Sequence, residues 1–340
     1  GRQINVISED SINPENATTK AQRMVERDGV DFLMGEISSA SALAISQVAT
    51  RNEKLFIAVG PRSDVLRAAS CSKYMFCIDI PNTVMVNAVG NALKRDGMVD
   101  GKNFYTLTAD YVFGHDLLAA AKSFFADNNA TLLGDELIAT DVTDFSPFLL
   151  KVRQAQPDVV CLNLAGNQVT NFVKQYAEFG LPFPTVGFNL NTADAWAAGV
   201  GNLSGIWPTV WYHTLENPNS QAFVQAFQAK YNRLPENHAW ISYVSLKIMA
   251  QAIAEAQSAE TPALIEYLES GAEFDILKDR PAYFRPWDHQ LIQEAYSFSV
   301  KPEGEAADEY DMIVLGEAVP AASDSMEVIY PTEAQNACSF

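Results

Sequence analysis

The 340-residue sequence predicts an α/β protein made of two doubly wound parallel-sheet lobes. Three observations carry that prediction. Short apolar runs alternate with amphipathic helical segments along most of the chain, the pattern of parallel strands covered on both faces. The pattern runs through twice, with glycine, asparagine and proline punctuating the joints. The length also exceeds the roughly 250 residues at which a single core stops growing.

The units follow in order. Gln3 to Ile7 alternates like a strand, and Asn13-Pro14 supplies an N-cap and a first-turn proline for a helix carrying Ala17, Ala21, Met24 and Val25. Asp31 to Gly35 is a short strand, and Ser38-Ser39 opens a second helix with Leu43, Ala44 and Val48. Leu55 to Val59 is the next strand, ending at Gly60-Pro61. The second run starts with the strand Phe104 to Thr108, followed after Gly114 by a helix with Leu117, Leu118, Ala121 and Phe125. Asp158 to Leu164 is a strand, the helix after it stops at Gly180, and Pro184 to Phe188 is a further strand. The longest helix spans about 238–258, and its broad apolar face reads as core. Ala295 to Val300 alternates as a strand, and the acidic stretch 301–340, with one Lys and nine Asp or Glu, reads as a solvated edge.

Composition excludes several classes. Hydrophobic residues make up 48% and charged residues 19%, too apolar for a disordered chain. The net charge of −19 and pI near 4.5 disfavour nucleic acid or an anionic membrane as partner and suit a soluble monomer. No apolar run reaches the ~18 residues of a membrane span. The chain opens at Gly1-Arg2-Gln3 without an initiator Met or an apolar leader. The protein is therefore expected to be cytoplasmic, or else to have lost its leader. Cys161 lies in an apolar strand and reads as a buried thiol, while Cys71 could pair with Cys77 or with Cys338. No CxxC or HxxxH spacing suggests a metal, and no cofactor fingerprint is present; 199–205 is glycine-rich with the wrong spacing and reads as a loop. None of the four histidines has a nucleophile context, and His289 within Arg285-Pro286-Trp287-Asp288-His289-Gln290 reads as a hydrogen-bonded corner. An enzyme reading has no positive support.

Ligands of open parallel sheets bind beyond the carboxyl ends of the strands. The candidates there are Ser38 and Ser39, which can cap a helix or hold a carboxylate, then Gly60, Pro61 and Arg62, a possible carboxylate clamp or a surface arginine. Next come Tyr111 and Phe113, which can cover an apolar ligand or pack locally, the small polar run Asn163, Ala165 and Gly166, and finally Asn189.

The runs Asp31 to Gly35 with Ser38-Ser39, Tyr111 to Gly114, Asp158 to Gly166, and Phe284 to Gln290 together resemble the type I periplasmic solute-binding proteins of ABC importers, in the leucine/isoleucine/valine-binding branch. The resemblance covers essentially the whole chain. It implies two lobes joined by a three-segment hinge, with residues 1–103 plus 236–286 in one lobe and 104–235 plus 287–340 in the other. It implies a ligand held in the interlobe cleft by lobe closure, a cognate permease in the inner membrane, and a periplasmic location with the export leader removed. Family contacts fall at Ser39, Gly60 to Arg62, Phe113, Ala165, Gly166 and Asn189. In that branch an acidic residue pairs with the ligand ammonium, where this chain has Asn189. A hydroxyl residue helps hold the carboxylate, where this chain has Arg62, and a tyrosine stands where this chain has Phe113. These departures move the site toward positive charge and favour a carboxylate ligand with an aromatic or other apolar body and no required amine. The resemblance also places a first strand and helix ahead of the segment matching Gly1 to Ile4, so the sequence is expected to lack one βα unit. A ligand-sensing regulator on the same fold is the alternative expectation.

Overall fold

Asn13 starts the first helix by accepting the Asn16 N–H at 2.8 Å, and Pro14 presets the first turn. That helix, α1 (Pro14–Glu26), and α2 (Ser39–Arg51) flank a parallel sheet of β1 (Phe32–Gly35), β2 (Leu55–Ala58) and β3 (Met75–Cys77). Leu55 to Ala58 is buried throughout, as its unbroken apolar run predicts for a central parallel strand. The computed structural model describes residues 3–302 and 304–340; Gly1, Arg2 and Glu303 lie outside the described residues. The expected strand Gln3 to Ile7 is not formed: these residues are exposed and pair with no neighbour. Alternation gives strand propensity, but a strand needs a ladder partner.

The second sheet has seven strands. After α3 (Asn82–Arg95) come β4 (Asn103–Ala109), α4 (Val112–Asp127), β5 (Thr131–Ile138), α5 (Ser146–Ala155), β6 (Val159–Asn163), α6 (Asn167–Phe179), β7 (Thr185–Gly187), α7 (Thr192–Ala198) and β8 (Ile206–Thr209). Helices α8 (Pro218–Tyr231), α9 (Asn237–Ala256) and α10 (Thr261–Glu269) precede the hairpin β9 (Tyr283–Phe284) and β10 (Leu291–Ile292), and β11 (Ala295–Val300) and β12 (Ile313–Val319) follow. The sheet order is β12-β11-β8-β7-β6-β4-β5. Strands β4 to β8 pair in parallel, while β11 runs antiparallel to both β8 and β12. The wholly parallel expectation is thus corrected at one edge, a common variation in doubly wound sheets.

The core clusters show which elements share a core near the expected divisions at 103/104, 235/236 and 286/287. Helix α3 packs on α4, β8 and β11 and sends Val86, Val89 and Leu93 into the core under the second sheet. It also presents Val84, Met85 and Ala88 to the first core. Helix α8 buries Phe223 and Val224 with α9 in the first core, beside Ile57 and Phe76. On this packing α3 lies between the two cores, and α8 shares the first core with α9. Periodicity identifies a helix but not the sheet it covers.

The acidic tail is more than a solvated edge. It contributes β12, buries Ile329 and Tyr330 in the first core, and ends with Cys338 bonded to Cys71. Cys77 and Cys161 are buried free thiols. His289 is the structural corner expected: its Nε2 meets Glu269 at 2.7 Å, and its ring stacks on Phe76 at 3.8 Å. Among the described residues no helix is long and apolar enough to cross a membrane, and no cluster of potential metal ligands forms.

Candidate functional site

The strand ends of both sheets meet at Arg62. The chain leaves β2 through Val59 to Arg62, and this segment is buried despite its charge. Arg62 Nε donates to Asp79 Oδ2 at 2.8 Å, and both side chains are almost fully enclosed. Arg62 Nη1 donates to Asn189 Oδ1 at 2.5 Å, while Asn189 Nδ2 donates to the Leu164 carbonyl at 3.0 Å. Asn189 follows β7 in the second lobe, so this bond joins the lobes. Arg62 Nη2 is buried and has no hydrogen-bond partner among the described residues. Asp79 corrects the expectation of a site with uncompensated positive charge, since it supplies Arg62 with a counter-ion inside the protein. It escaped the sequence reading because it leaves β3 in a run that reads only as strand.

Ser38 and Ser39 open α2. Ser38 is its N-cap, accepting the Ser41 N–H, and Ser39 Oγ accepts the Ser63 N–H at 3.2 Å. Both hydroxyls thus serve the local backbone, and Ser39 fixes the loop that carries Arg62. Gly60 N–H donates to the Glu36 carbonyl at 3.0 Å, and Pro61 is buried beside it.

Across the cleft, Tyr111 precedes α4. Burial pushes its phenol up to about 12 against the pull of Arg62, so it remains a neutral donor. Phe113 differs from expectation: it is a core residue, packed with Val89, Leu117 and Phe124. The aromatic beside Arg62 is Tyr111. Asn163 is likewise turned inward, donating to Thr108 Oγ1 at 3.2 Å. It ends β6 in the fully buried interior of the sheet, where a side-chain amide must find a partner. Ala165 and Gly166 are partly exposed, and Gly166, at φ +55°, starts α6.

Two further groups were not legible as site residues. Thr192 at the start of α7 is bound by Asn237 at the start of α9: its N–H and Oγ1 both donate to Asn237 Oδ1, at 2.8 and 3.0 Å. The next residue, His238, therefore sits at the seam between lobes. Burial, then the charge of Arg62, hold its imidazole down to about 3, and its Nε2 is buried without a partner among the described residues. Asp194 on α7 accepts from Asn191 Nδ2 at 3.2 Å, and burial raises its carboxyl above the usual range while Arg62 opposes that rise. Two open surface cavities, of about 630 and 940 Å³, lie beside Tyr74 and Phe340 and share no residue with this cleft.

Two α/β lobes with polar side chains converging from both onto an enclosed seam define a protein of the bilobal ligand-binding class. The profile of the family described as "Periplasmic binding protein" matches residues 1–306, and the chain belongs to that family. The Leu/Ile/Val-binding protein homolog 8 of Brucella abortus (strain 2308) is 22% identical over 287 residues, covering 79% of this chain and 70% of that one. A periplasmic binding protein from Burkholderia mallei superposes with a TM-score of 0.87 at 25% identity, covering 96% of this chain and 84% of that one. A solute-binding protein of an ABC transporter from Rhodopseudomonas palustris BisB5, in complex with 3,4-dihydroxy benzoic acid, superposes with a TM-score of 0.80 at 21% identity, covering 94% and 88%. The family consists of periplasmic binding proteins, and the solved structures that share its fold include ligand-binding proteins of ABC transporters.

Proposed function

We propose that this protein captures a small carboxylate between its lobes and presents it to a cognate permease in the inner membrane. An aromatic or other organic acid is favoured over a branched-chain amino acid. The observation that carries this reading is the buried Arg62 with Nη2 unpartnered, facing the neutral Asn189. A buried donor without a partner costs about 1–3 kcal/mol, and a ligand carboxylate would satisfy it with a charge-assisted bond. Asp79 is already engaged by Arg62, and burial raises the carboxyl of Asp194 above its usual range, which disfavours the charged form that an α-ammonium would need. Ser39, Tyr111 and the backbone at Gly60, Pro61, Ala165 and Gly166 complete the proposed ligand contacts. The neutral imidazole of His238 adds a second polar contact, suited to a hydroxyl or carbonyl on the ligand body. The structural neighbour bound to 3,4-dihydroxy benzoic acid supports this ligand class.

A thermal-shift panel of benzoate, hydroxybenzoates, small aliphatic acids and leucine tests the proposal. A ligand at 100 times its Kd adds about 2.7 kcal/mol of stability. Tight binding of leucine together with no response to any of the acids would overturn it.

A further inference from the structure

A second set of bonds joins the lobes beside Arg62, and it runs through two carboxylates. Asp116, in the second turn of α4, accepts from Ser63 Oγ at 3.0 Å and from the backbone N–H of Asp64. Ser63 and Asp64 begin a short 3-10 turn (Asp64–Arg67) in the first lobe. Asp64 in return accepts the Thr83 N–H at 3.1 Å, at the start of α3. Asp116 thus reaches across to the turn that begins at Asp64, and Asp64 caps the start of α3, where exposed N–H groups favour negative charge.

Few groups can compensate two acids held this close. Burial, then the charge of Asp116, push the Asp64 carboxyl up to about 7, while Arg67 and Thr83 pull it down. Arg67 is the cation on the same turn, but its guanidinium is committed to Gln290 Oε1, the Ser63 carbonyl and the Asp79 carbonyl. Arg62 is paired with Asp79, and His115, next to Asp116, is held by Asp110 at 2.7 Å.

We propose that Asp64 and Asp116 form a proton-dependent clasp that holds the lobes closed when the pair carries one proton and loosens when both are ionised. This regulates the site proposed above, and it rests on that reading only for the premise that the lobes open and close. When the lobes part, Asp64 gains water and loses Asp116, and its carboxyl returns toward the ordinary range. Closure therefore takes up a proton between that range and about pH 7. Through this window the closing equilibrium shifts up to about tenfold per pH unit, toward closure as pH falls.

Small-angle X-ray scattering of the unliganded protein from pH 5 to 8.5 tests the clasp, on the wild type and on Asp64→Asn and Asp116→Asn. The wild type should contract as pH falls. Asp64→Asn should stay contracted at every pH, because an amide keeps the cap to Thr83 without titrating. Asp116→Asn should lose most of the pH response as well. A carboxyl NMR titration should find Asp64 titrating near 7 in the closed protein. A wild-type radius that does not change across this range would overturn the clasp, and so would an Asp64→Asn variant that follows the wild-type curve. The experiment uses no ligand, so a failed acid panel and a failed clasp are told apart.

Discussion

Arg62 Nη1 and Asn189 Oδ1 meet at 2.5 Å across 127 residues of sequence and bind the two lobes together. The same guanidinium neutralises Asp79, so one side chain supports the fold while its Nη2 stays buried without a partner among the described residues.

Replacing Arg62 with alanine should therefore destabilise the protein as well as abolish acid binding. Asp79 would be left as a fully enclosed carboxylate without its cation. Breaking a buried pair from one side costs about 3–5 kcal/mol. The double variant Arg62→Ala/Asp79→Asn should recover much of that stability but none of the binding. Urea denaturation of the single and double variants measures the coupling directly. Equal stabilities for the two variants would show that Asp79 does not depend on Arg62.

The buried histidines set an acid limit on stability. His238 is held down to about 3 and His213 to about 4, both chiefly by burial, while an unfolded histidine titrates near 6.5. Below that value the unfolded chain binds protons that the folded chain does not, so folding stability falls as pH falls. Each histidine contributes up to about 1.4 kcal/mol per pH unit across the window between its two values. Burial lowers His289 as well, so His238→Phe should flatten the stability profile between pH 6.5 and 4 by removing one of three such contributions. Denaturation midpoints at a series of pH values check the slope.

These residues show what a sequence can and cannot reveal here. Strand β2 and the Arg62 turn were legible because an unbroken apolar run must be a covered strand, and its carboxyl end is where ligands bind. Asn189 was read as a candidate from its place after a strand and again through the family resemblance. His238 was not, because helical periodicity reports the apolar face of α9 and nothing about Thr192, to which the start of that helix is bonded. Phe113 and Asn163 lie at strand ends as read, but their side chains turn inward to the core and to Thr108. That direction depends on how α3 and β4 pack, which periodicity alone does not report.

The Cys71–Cys338 bond closes a loop across 267 residues and ties the tail to the first lobe. Cross-linking so long a loop restricts the unfolded chain, and losing it should cost roughly 2–5 kcal/mol. Cys71→Ser should lower the denaturation midpoint accordingly and expose the last residues to carboxypeptidase, Phe340 included. Ligand affinity should change little, because neither cysteine touches Arg62, Asn189 or His238. An unchanged midpoint would mean that Ile329 and Tyr330 alone anchor the tail.

Gly114 offers the sharpest link between fold and site. It lies in the first turn of α4, where a Cβ would stand 1.9 Å from the Ala109 carbonyl oxygen. That carbonyl cannot retreat easily, because β4 is paired on both sides, with β5 and β6. Gly114→Ala must therefore push the start of α4 away from the sheet, at about 1–3 kcal/mol for an overpacked contact. The same shift would carry Tyr111 away from Arg62, and Asp116 away from Ser63 and Asp64. We expect a lowered denaturation midpoint together with a loss of pH-dependent contraction in scattering. Asp116→Asn separates the two effects, since it should remove the contraction at much smaller cost to stability. A Gly114→Ala variant as stable as the wild type would mean that α4 is not seated against Ala109 as tightly as this geometry requires.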